Sequence, residues 1–528
     1  MHWLGNIPDI RHERHYGVRV DRCFAERPRN LPEMLGEAVA RRGDGEALVC
    51  AGARISYREM DRLAGHVAAG LAGLGVGRGD RVALLLPNGV SHVVAWHATL
   101  RLGAIVVPLN IREERPELAF VIGHSGAKVL LFDAGLAARI PDPADVPALA
   151  HRIAIGAREA WPFGFDALAG GGAIAPPEIG EEETAAILYT SGTTGRPKGA
   201  MLTHMSIIHA VMIYEACMGL TQAERSVVSV PLSHVTGLTA GLALMMRVAG
   251  TLIVMPTFKA EAFLELAARE RMTHTVMVPA MYSLCLMQPQ MDRLDFGAWR
   301  IGGFGGAPMP EVTIRELAGK LPGLRLFNAY GSTETTGPVV LMPPDQMAAR
   351  RAAVGCAVPV ADIRIMDEAG CELPAGAAGE IWLRGPNVVP GYWQNREATR
   401  DGLVGGYWRS GDIGSLDADG YLTLLDRAKD MINRGGFKIY SVEVENVLAA
   451  HPLVEEAAVV ARPCPVLGER VHAVVVARTG FDLGELRRHC VGKLADYKIP
   501  ESLTLQGEPL PRNAGGKVLK RQLRVAAG

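Results

Sequence analysis

Residues 189–199, with the sequence YTSGTTGRPKG, constrain this chain more than any other segment. They follow an apolar run at 185–188 that is typical of a buried strand. A loop rich in glycine and hydroxyl residues after such a strand exposes backbone N–H groups, which together with a lysine can surround a polyphosphate. In a Walker A loop a Ser or Thr follows the lysine, whereas here Gly199 follows Lys198. The segment therefore predicts a phosphate-binding loop of another kind.

Composition and charge exclude several classes of protein. A chain of 528 residues, 48% hydrophobic and 21% charged, can bury a large core and form several domains. Its net charge of −1 creates no overall field that would favour nucleic acid or an anionic membrane surface. The eight cysteines include no C-x-x-C pair, which argues against a zinc site or a disulfide framework and favours a reducing, cytoplasmic location.

No segment predicts an export signal or a membrane span. The first residues, MHWLGNIPDIRHERH, lack the basic-then-apolar order of a signal peptide. The most apolar region, residues 227–255, is interrupted by Pro231, His234 and Arg247. It therefore cannot supply the roughly 20 apolar residues that a spanning helix needs. We expect core strands and helices there, and no integral membrane association.

Helical and strand patterns alternate along the first part of the chain. Residues 31–41 and 57–74 have the apolar spacing of helices, and residues 82–86 and 105–107 are short apolar runs typical of buried strands. This alternation predicts an α/β fold. We expect a large N-terminal domain of layered α/β subdomains over residues 1–425.

A second compact pattern occupies the last hundred or so residues, 431–528. Helices are expected at 442–450 and 483–493, and strands are expected at 454–460 and 471–477. They are enough for a small α+β domain with its own core. The charged stretch 426–430, DRAKD, separates the two parts and is either a plain linker or a hinge. A hinge would make the C-terminal domain mobile.

Three further segments carry chemistry. Residues 328–336, NAYGSTETT, combine a tyrosine, hydroxyls and Glu334, which suits a nucleotide base against a ring and a divalent cation on the acid. A polar turn is the alternative. Asp412, after a glycine turn, can accept hydrogen bonds from both hydroxyls of a ribose, although such an acid is more often part of a turn. Residues 303–308, GFGGAP, allow a ligand to approach the backbone closely, as a bulged strand end would also do.

A lysine near the end of the chain lies in a glycine-rich setting. Residues 511–518 have the sequence PRNAGGKV, so Lys517 follows two glycines. Such a lysine is compatible with a mobile catalytic cation, whereas a basic tail is usually a solvated face. Both interpretations stay open on these residues alone.

In order and content, these segments resemble the adenylate-forming superfamily of acyl-CoA synthetases, aryl and luciferase-type ligases, and nonribosomal-peptide adenylation domains. The resemblance extends over nearly the whole chain, from about residue 31 to residue 523. It rests on the phosphate loop, YGSTET at 330–335, SGD at 410–412, DRAKDMINRGGFKIY at 426–440 and PRNAGGK at 511–517. The chain departs from the superfamily pattern at Asn513, where a threonine is common, and at Asp426, where a glycine is frequent. The second departure bears on the positioning of Arg427.

The resemblance implies a two-step reaction. Members of the superfamily join a carboxylate to the α-phosphate of ATP, release pyrophosphate, and pass the acyl group from acyl-AMP to a thiol. By resemblance, Glu334 would bind Mg²⁺, Lys517 would bridge the carboxylate and the α-phosphate, and Lys429 would be the hinge residue. ATP and AMP would be bound by Thr190, Ser191, Gly192, Thr193, Thr194, Gly195, Lys198, Gly306, Ala307, Pro308, Asn328, Ala329, Tyr330, Gly331, Thr333, Asp412 and Arg427.

The acyl group would lie among small and apolar residues. By resemblance, this pocket would be lined by Val235, Gly237, Phe304, Gly305, Gly337 and Pro338. The glycines are expected to leave room for an acid larger than acetate, and no arginine there offers to pair with a second carboxylate. These features favour an aryl or a medium or long aliphatic monocarboxylate. His234 would either flank the reacting carboxylate as a catalytic residue or pack as a hydrogen-bonded histidine.

Coenzyme A is the favoured thiol acceptor, because no carrier-protein domain follows Lys517 in this sequence. By resemblance, it would be bound by Arg434, Gly435, Gly436 and Lys438. The two cations could equally face solvent. A standalone enzyme that loads a separate carrier protein is the alternative, because INRGGFK at 432–438 is similar to aryl-acid activators of that kind. A non-catalytic acyl-nucleotide-binding protein is a third hypothesis, and a homodimer is left open.

Overall fold

The computed structural model describes residues 3–156, 165, 168, 174–190, 197–435, 437–512 and 518–526. The chain folds into two compact units. The first comprises Met1–Ile363 together with Leu383–Trp408, and the second comprises Arg364–Trp382 together with Arg409–Gly528.

The described residues form strands and helices throughout both units. The strands are β1 (Ile10–His15), β2 (Arg19–Phe24), β3 (Glu46–Cys50), β4 (Ala53–Ser56), β5 (Arg81–Leu85), β6 (Ile105–Pro108), β7 (Val129–Asp133), β8 (His151–Ile155), β9 (Thr184–Thr190), β10 (Lys198–Thr203), β11 (Arg225–Val228), β12 (Thr251–Val254), β13 (His274–Met277), β14 (Ile301–Gly305), β15 (Arg325–Ser332), β16 (Gly337–Leu341), β17 (Gly355–Ala357), β18 (Asp362–Met366), β19 (Gly379–Arg384), β20 (Leu403–Val404), β21 (Tyr407–Leu416), β22 (Tyr421–Arg427), β23 (Ile432–Arg434), β24 (Phe437–Ile439), β25 (Val454–Cys464), β26 (Gly468–Ala477) and β27 (Ser502–Leu505). The α-helices are α1 (Leu31–Arg42), α2 (Tyr57–Gly73), α3 (Val90–Arg101), α4 (Arg115–Ser125), α5 (His204–Met218), α6 (Leu244–Val248), α7 (Ala260–Arg269), α8 (Pro279–Leu286), α9 (Gln290–Arg293), α10 (Glu311–Lys320), α11 (Arg396–Gly402), α12 (Ser441–Ala449), α13 (Leu483–Cys490) and α14 (Lys520–Ala526).

A six-stranded sheet in the order β10-β9-β6-β5-β7-β8 forms one layer of the first unit. Its strands are parallel except for β10, which pairs antiparallel with β9. Strand β5 is fully buried from Val82 to Leu85. Burial on both faces explains why these strands are continuous apolar runs in the sequence and not alternating ones.

A second sheet of the first unit contains strands in the order β4-β3-β12-β11-β13-β14-β15-β16-β17. The strands from β3 to β15 are parallel, whereas β4, β16 and β17 pair antiparallel with their neighbours. The carboxyl ends of β13, β14 and β15 therefore meet at one edge. That edge is where ligands bind in open parallel sheets.

Local signals place the first helices. Asn30 caps α1 by accepting a hydrogen bond from the Glu33 N–H, and Ser56 caps α2 by accepting one from the Glu59 N–H. Before them, β1 and β2 form an antiparallel hairpin. The interior of the first unit is apolar.

The second unit has its own core. Strands β25 and β26 form a long antiparallel hairpin, β27 lies parallel to β26, and β23 joins β26 to β24. Helices α12 and α13 cover this sheet with buried Val444, Leu448 and Leu486. The α+β character predicted for the end of the chain is confirmed.

Most predicted elements agree with the structure, with two differences. The helix expected at 483–493 ends at Cys490, because Val491 adopts an extended conformation and Gly492 has a φ of 79°. Region 227–255 contains the expected core elements and also a π-helix, Thr236–Ala243, that the sequence did not predict. Among the described residues, no helix combines the length and apolar character needed to cross a bilayer. All eight cysteines are free thiols.

Candidate active site

The two described ends of the phosphate-loop segment belong to the antiparallel strands β9 and β10 of the first unit, here called the phosphate-loop hairpin. The antiparallel register of β9 and β10 places Lys198 opposite Thr190. Tyr189, one residue earlier, is anchored by a hydrogen bond between its hydroxyl and His124 Nδ1 at 2.8 Å. Strand pairing and this anchor fix the backbone that carries Thr190 and Lys198. Outside the described residues lie the predicted site residues Ser191, Gly192, Thr193, Thr194, Gly195, Gly436 and Lys517.

The Glu334 carboxylate accepts hydrogen bonds from three hydroxyl groups. Its Oε1 accepts hydrogen bonds from the Tyr392 hydroxyl at 3.1 Å and from Thr190 Oγ1 at 3.4 Å, while its Oε2 accepts one from Ser332 Oγ at 2.7 Å. The ammonium nitrogen of Lys198 lies 5.3 Å from the centroid of the Tyr392 ring. The structure thus brings together Thr190, Lys198 and Glu334, which are distant in the sequence.

The donors around Glu334 suit Mg²⁺, which prefers oxygen ligands. Three hydroxyls and one carboxylate form this hydrogen-bonded cluster, so its polar atoms are all oxygens. Each carboxylate oxygen has two lone pairs, so Glu334 keeps capacity for a cation beside its hydroxyl partners. The residues present therefore fit the cation that the sequence predicts.

A tight turn holds Glu334 in place. Ser332 Oγ accepts a hydrogen bond from the Glu334 N–H at 3.0 Å, and Thr335 Oγ1 accepts one from the Ser332 N–H at 2.8 Å. Thr336 has a φ of 56°, in the left-handed region that β-branched residues rarely adopt. Its N–H donates to the Thr333 carbonyl at 3.0 Å. Strain of this kind persists only where neighbouring bonds hold it, which is common at functional sites.

The carboxyl ends of β14 and β15 carry the predicted base-binding residues. Their parallel register pairs Phe304 with Asn328 and Gly305 with Ala329. A Cβ on Gly305 would lie 2.4 Å from the Ala329 carbonyl oxygen, so only glycine fits this position. The exposed or half-buried positions at this edge are Gly306, Ala307, Pro308, Asn328, Ala329, Tyr330, Gly331 and Thr333. The edge can therefore receive a nucleotide.

His234 lies between β11 and the π-helix. Its side chain is exposed, yet desolvation by the surrounding protein lowers the pKa of its imidazole. This combination is expected for a side chain that lines a deep cleft. His234 Nδ1 accepts a hydrogen bond from the Thr236 N–H at 3.3 Å, so the neutral ring carries its proton on Nε2. That N–H can donate to a carboxylate oxygen.

The other predicted acyl-pocket residues are mostly buried and apolar. Phe304 is 2% exposed, and Val235 and Pro338 are also buried. Val235 leads directly into the π-helix Thr236–Ala243, which packs against β11, β13 and β16. π-Helical segments are rare and frequently occur at functional sites.

The glycines of this region have a packing role. A Cβ on Gly237 would lie 2.2 Å from the Pro231 carbonyl oxygen, and one on Gly337 would lie 3.1 Å from Ala210 Cβ. Gly305 is equally confined, as described above. Close packing, and not room for an acyl chain, accounts for glycine at these three positions.

In the second unit, the predicted ribose-binding pair lies on adjacent strands. The register of β21 and β22 places Asp412 opposite Arg427, and Arg427 Nε lies 3.1 Å from Asp412 Oδ1. Ser410 Oγ accepts a hydrogen bond from the Asp412 N–H at 3.0 Å, and Gly411 between them has a φ of 67°. The structure thus brings Asp412 and Arg427 together on a glycine-dependent turn.

The predicted hinge stretch is tied to the helices of the second unit. Arg524 donates to the Lys429 carbonyl at 2.6 Å and to Asp430 Oδ1 at 3.1 Å. Asp426 Oδ1 accepts a hydrogen bond from Ser441 Oγ at 3.0 Å, and burial raises the pKa of Asp426. The backbone around Lys429 is therefore held by side chains on both sides.

The predicted coenzyme A residues carry ion pairs. Arg434 Nε lies 2.6 Å from Glu501 Oε1, and Lys438 Nζ lies 3.0 Å from Glu368 Oε1. Gly435 turns the chain between β23 and β24 with a φ of 59°. An anionic ligand at this turn would have to displace the carboxylates of Glu501 and Glu368 from Arg434 and Lys438.

Sequence reasoning missed two aromatic residues beside Glu334. Tyr392 contacts its carboxylate, and Trp408 Nε1 donates to the Tyr392 hydroxyl at 3.3 Å. Both are buried. The local signals are the aromatic pairs in PGYW at 390–393 and in YW at 407–408, and neither indicates that Tyr392 contacts Glu334.

Arg19 on β2 was also missed. Its guanidinium is buried and donates to the carbonyls of Gly385 and Val388 at 2.7 and 3.0 Å. It also pairs with the buried Asp21 carboxylate. Between its two carbonyl partners, Asn387 donates to the Thr335 carbonyl at 2.9 Å. Arg19 therefore supports the turn of Glu334 from a distance.

Comparison with known proteins bears on the whole chain. The model for the AMP-binding enzyme family matches residues 35–393, and that for the AMP-binding enzyme C-terminal domain matches residues 443–517. The chain is 35% identical to the long-chain-fatty-acid–CoA ligase FadD13 of Mycobacterium tuberculosis, over 89% of this chain and 93% of that protein. It is 36% identical to the feruloyl-CoA synthase of Amycolatopsis sp, over 90% of this chain and 95% of that protein.

A solved structure extends the likeness to three dimensions. The o-succinylbenzoate CoA synthetase MenE of Bacillus subtilis, in complex with the acyl-adenylate intermediate, gives a TM-score of 0.84 at 29% identity and covers 93% of this chain and 97% of that one. The same enzyme has been solved with ATP and a magnesium ion. Because the family model spans more than half of the residues and the relatives match almost end to end, this chain belongs to the AMP-binding enzyme family.

Proposed function

We infer that this chain is an AMP-forming acyl-CoA synthetase. In the first step a carboxylate oxygen attacks the α-phosphorus of ATP and pyrophosphate leaves, which gives acyl-AMP. In the second step the sulfur of coenzyme A attacks the acyl carbonyl carbon, AMP leaves, and the thiol proton passes to solvent. The observation that carries this inference is the convergence of Glu334, Thr190 and Lys198 at the phosphate-loop hairpin.

The first step needs cations because two anions react. Negative charge develops on the transferring phosphoryl group and on the leaving pyrophosphate, so fixed positive charge lowers the barrier. Mg²⁺, when bound, offsets part of that charge, and Glu334 would hold it. Lys198 and the Thr190 hydroxyl would contact the β- and γ-phosphates. Lys517 would lie between the carboxylate and the α-phosphate.

Two groups of predicted residues would hold the nucleoside. The Tyr330 ring would lie against adenine, with the backbone of 306–308 approaching from the carboxyl end of β14. Asp412 would accept hydrogen bonds from the ribose hydroxyls, and Arg427 would keep its carboxylate oriented. The ion pair between Arg427 Nε and Asp412 Oδ1 at 3.1 Å supports these roles, because it holds the carboxylate in one orientation.

We propose an aryl or a medium or long aliphatic monocarboxylate as the acid. One relative is named for a long-chain fatty acid and another for a feruloyl group, so the two names cover an aliphatic and an aryl acid. Buried Phe304, Val235 and Pro338 favour an apolar tail. The neutral His234 ring, with its proton on Nε2, would donate to one oxygen of the reacting carboxylate.

The second step requires a different set of contacts near the same carbonyl. We propose residues 1–425 and 431–528 as the functional domains, with rotation about 426–430 at Lys429 withdrawing Lys517 and admitting the thiol. Arg434, Gly435, Gly436 and Lys438 would then meet the coenzyme A phosphates. Transfer to a carrier protein is less favoured, because the relatives named above are CoA ligases.

Location and assembly are further proposals. Eight free cysteines favour the reducing cytoplasm, where thiols stay reduced. A homodimer is compatible with this chain, and light scattering of the purified protein would decide between it and a monomer.

Mass spectrometry of products from a panel of acids with ATP and Mg²⁺, each with and without coenzyme A, tests the function. We expect acyl-CoA only when coenzyme A is added, and the best acid identifies the substrate class. Acyl-AMP that accumulates while coenzyme A is ignored would redirect the acceptor to a carrier protein. Tight AMP binding with no turnover on any acid would contradict the enzyme assignment.

A further inference from the structure

Residues 385–393, here called the connecting segment, join the phosphate-loop hairpin to Glu334. The Trp393 N–H donates to the Gly199 carbonyl at 2.7 Å, and the Met201 N–H donates to the Gly391 carbonyl at 3.1 Å. Farther along, the Val389 N–H donates to the Glu334 carbonyl at 2.9 Å. The backbone of this segment is therefore bound both to β10 and to the turn that carries the acid.

Tyr392 is the residue of the connecting segment that reaches both charges. Its hydroxyl lies 3.1 Å from Glu334 Oε1, and its ring face lies 5.3 Å from the ammonium nitrogen of Lys198. An ammonium over an aromatic face is attracted by the ring quadrupole. One side chain thus contacts the carboxylate through its hydroxyl and the cation through its ring.

The direction of the hydroxyl bond follows from Trp408. The indole N–H of Trp408 can only donate, and it donates to the Tyr392 oxygen at 3.3 Å. The hydroxyl hydrogen is then free to point at Glu334 Oε1, where a carboxylate can only accept.

We propose that Tyr392 is a positioning residue for the cation and triphosphate site, acting through Glu334 and Lys198. Its hydroxyl fixes the orientation of the Glu334 carboxylate, and its ring fixes the place of the Lys198 ammonium. Trp408 orients the hydroxyl. This inference rests on the proposed function, because the site must bind a metal–nucleotide complex.

Tyr392→Phe tests the proposal, since it removes only the hydroxyl and keeps the ring. The probe is Mn²⁺ with a non-hydrolysable ATP analogue, and its dissociation constant is measured by electron paramagnetic resonance. We expect roughly a tenfold weaker Mn²⁺ affinity, the loss typical for one hydrogen bond to a charged group. In pyrophosphate exchange, KM for MgATP should rise by a similar factor while KM for the acid stays unchanged. Unchanged Mn²⁺ affinity in the folded variant would overturn the proposal.

Tyr407→Phe is the matched control, because it removes the same atom from a half-buried hydroxyl–carboxylate pair with Asp362 in the first unit. It should leave Mn²⁺ affinity unchanged. In a Glu334→Gln background, Tyr392→Phe should change the affinity less than twofold. Full additivity of the two changes would show that Tyr392 does not act through Glu334.

A substitute variant and a wild-type activity control complete the test of Tyr392. If Tyr392→Phe does not fold, Trp408→Phe takes its place, and we expect a loss of about threefold in Mn²⁺ affinity against none if the proposal is wrong. Absence of pyrophosphate exchange in the wild type with every acid would contradict the proposed function. The Mn²⁺ measurement would still decide the role of Tyr392, because it needs no turnover.

Discussion

Arg427 and Asp412 face each other across β21 and β22, with Arg427 Nε 3.1 Å from Asp412 Oδ1. The Asp412 side chain is nearly buried, whereas that of Arg427 is 43% exposed. The acid is therefore held in a fixed orientation by a partner that stays accessible to solvent. Such a pair can present the Asp412 carboxylate to a ligand in a fixed direction.

Replacement of Asp412 by Asn should weaken ATP use selectively. The amide loses the charge that strengthens hydrogen bonds to ribose hydroxyls, so we expect kcat/KM for ATP to fall roughly 10- to 100-fold. Pyrophosphate exchange with ATP and with 2′-deoxy-ATP measures this, and the deoxy substrate should lose less. Arg409→Gln breaks an exposed ion pair with Glu380 and should leave both substrates unaffected. Equal losses for ATP and 2′-deoxy-ATP would contradict a bond to the 2′-hydroxyl.

The two half-reactions should separate in two variants. Lys517→Ala should abolish acyl-AMP formation and largely spare thioester formation from supplied acyl-AMP, because its charge is needed only in the first step. Lys429→Pro should do the reverse, since proline fixes φ and restrains the residue before it. Quenched-flow assays of each half-reaction measure both. Equal loss of the two half-reactions in Lys517→Ala would disprove the two-state assignment.

Acid should destabilise the first unit through its buried histidines. Burial lowers the pKa to about 3 or 4 for His92, His97, His204, His209 and His274. The unfolded chain then binds more protons below pH 6.5, so the free energy of unfolding falls as pH falls, by about 2 kcal/mol per histidine at pH 5. Glu113, whose pKa burial raises to about 7, acts in the opposite direction, but it is one group against five.

Urea unfolding at pH 7 and pH 5 measures this effect. His97→Gln removes one titrating group, so the stability difference between the two pH values should shrink by about 2 kcal/mol. His12→Gln, at an exposed strand position, should leave that difference as it is. A wild-type stability that does not fall between pH 7 and pH 5 would contradict the burial of neutral rings.

Arg19→Lys should destabilise the protein by about 2–4 kcal/mol. Lysine cannot donate to the Gly385 and Val388 carbonyls and to Asp21 in the same fork geometry, so buried acceptors lose their partners. Differential scanning calorimetry would show the lower Tm. Arg11→Gln, which breaks an exposed pair with Glu13, should cost less than about 1 kcal/mol. Similar Tm values for the two variants would contradict a stabilising role for the buried hydrogen bonds of Arg19.

The sequence predicted the elements well because apolar periodicity reports burial directly. Strand β9, helix α2 and strands β25 and β26 all follow from it. The end of α13 was missed because the break at Cys490 depends on Gly492, which the apolar pattern does not register. The π-helix Thr236–Ala243 was missed because the apolar pattern of its short sequence, TGLTAGLA, does not distinguish π-helical from α-helical hydrogen bonding.

The site was predictable only in its motif residues. Thr190, Lys198 and Glu334 belong to segments whose composition is unusual, and the fold brings them together. The residues next to Tyr392 in the sequence do not distinguish it from other tyrosines. Its contact with Glu334 forms only when the connecting segment pairs with β10. Long-range pairing of this kind has no local signal.

The hairpin that carries Arg19 precedes residue 35, where the match to the family model begins. A shortened chain that starts there would keep every motif residue predicted from the sequence. It would nevertheless leave the Gly385 and Val388 carbonyls without their guanidinium donor. The matched range of the family model therefore begins after a hairpin that helps to hold residues inside that range, so the folded unit extends beyond the limits of the model.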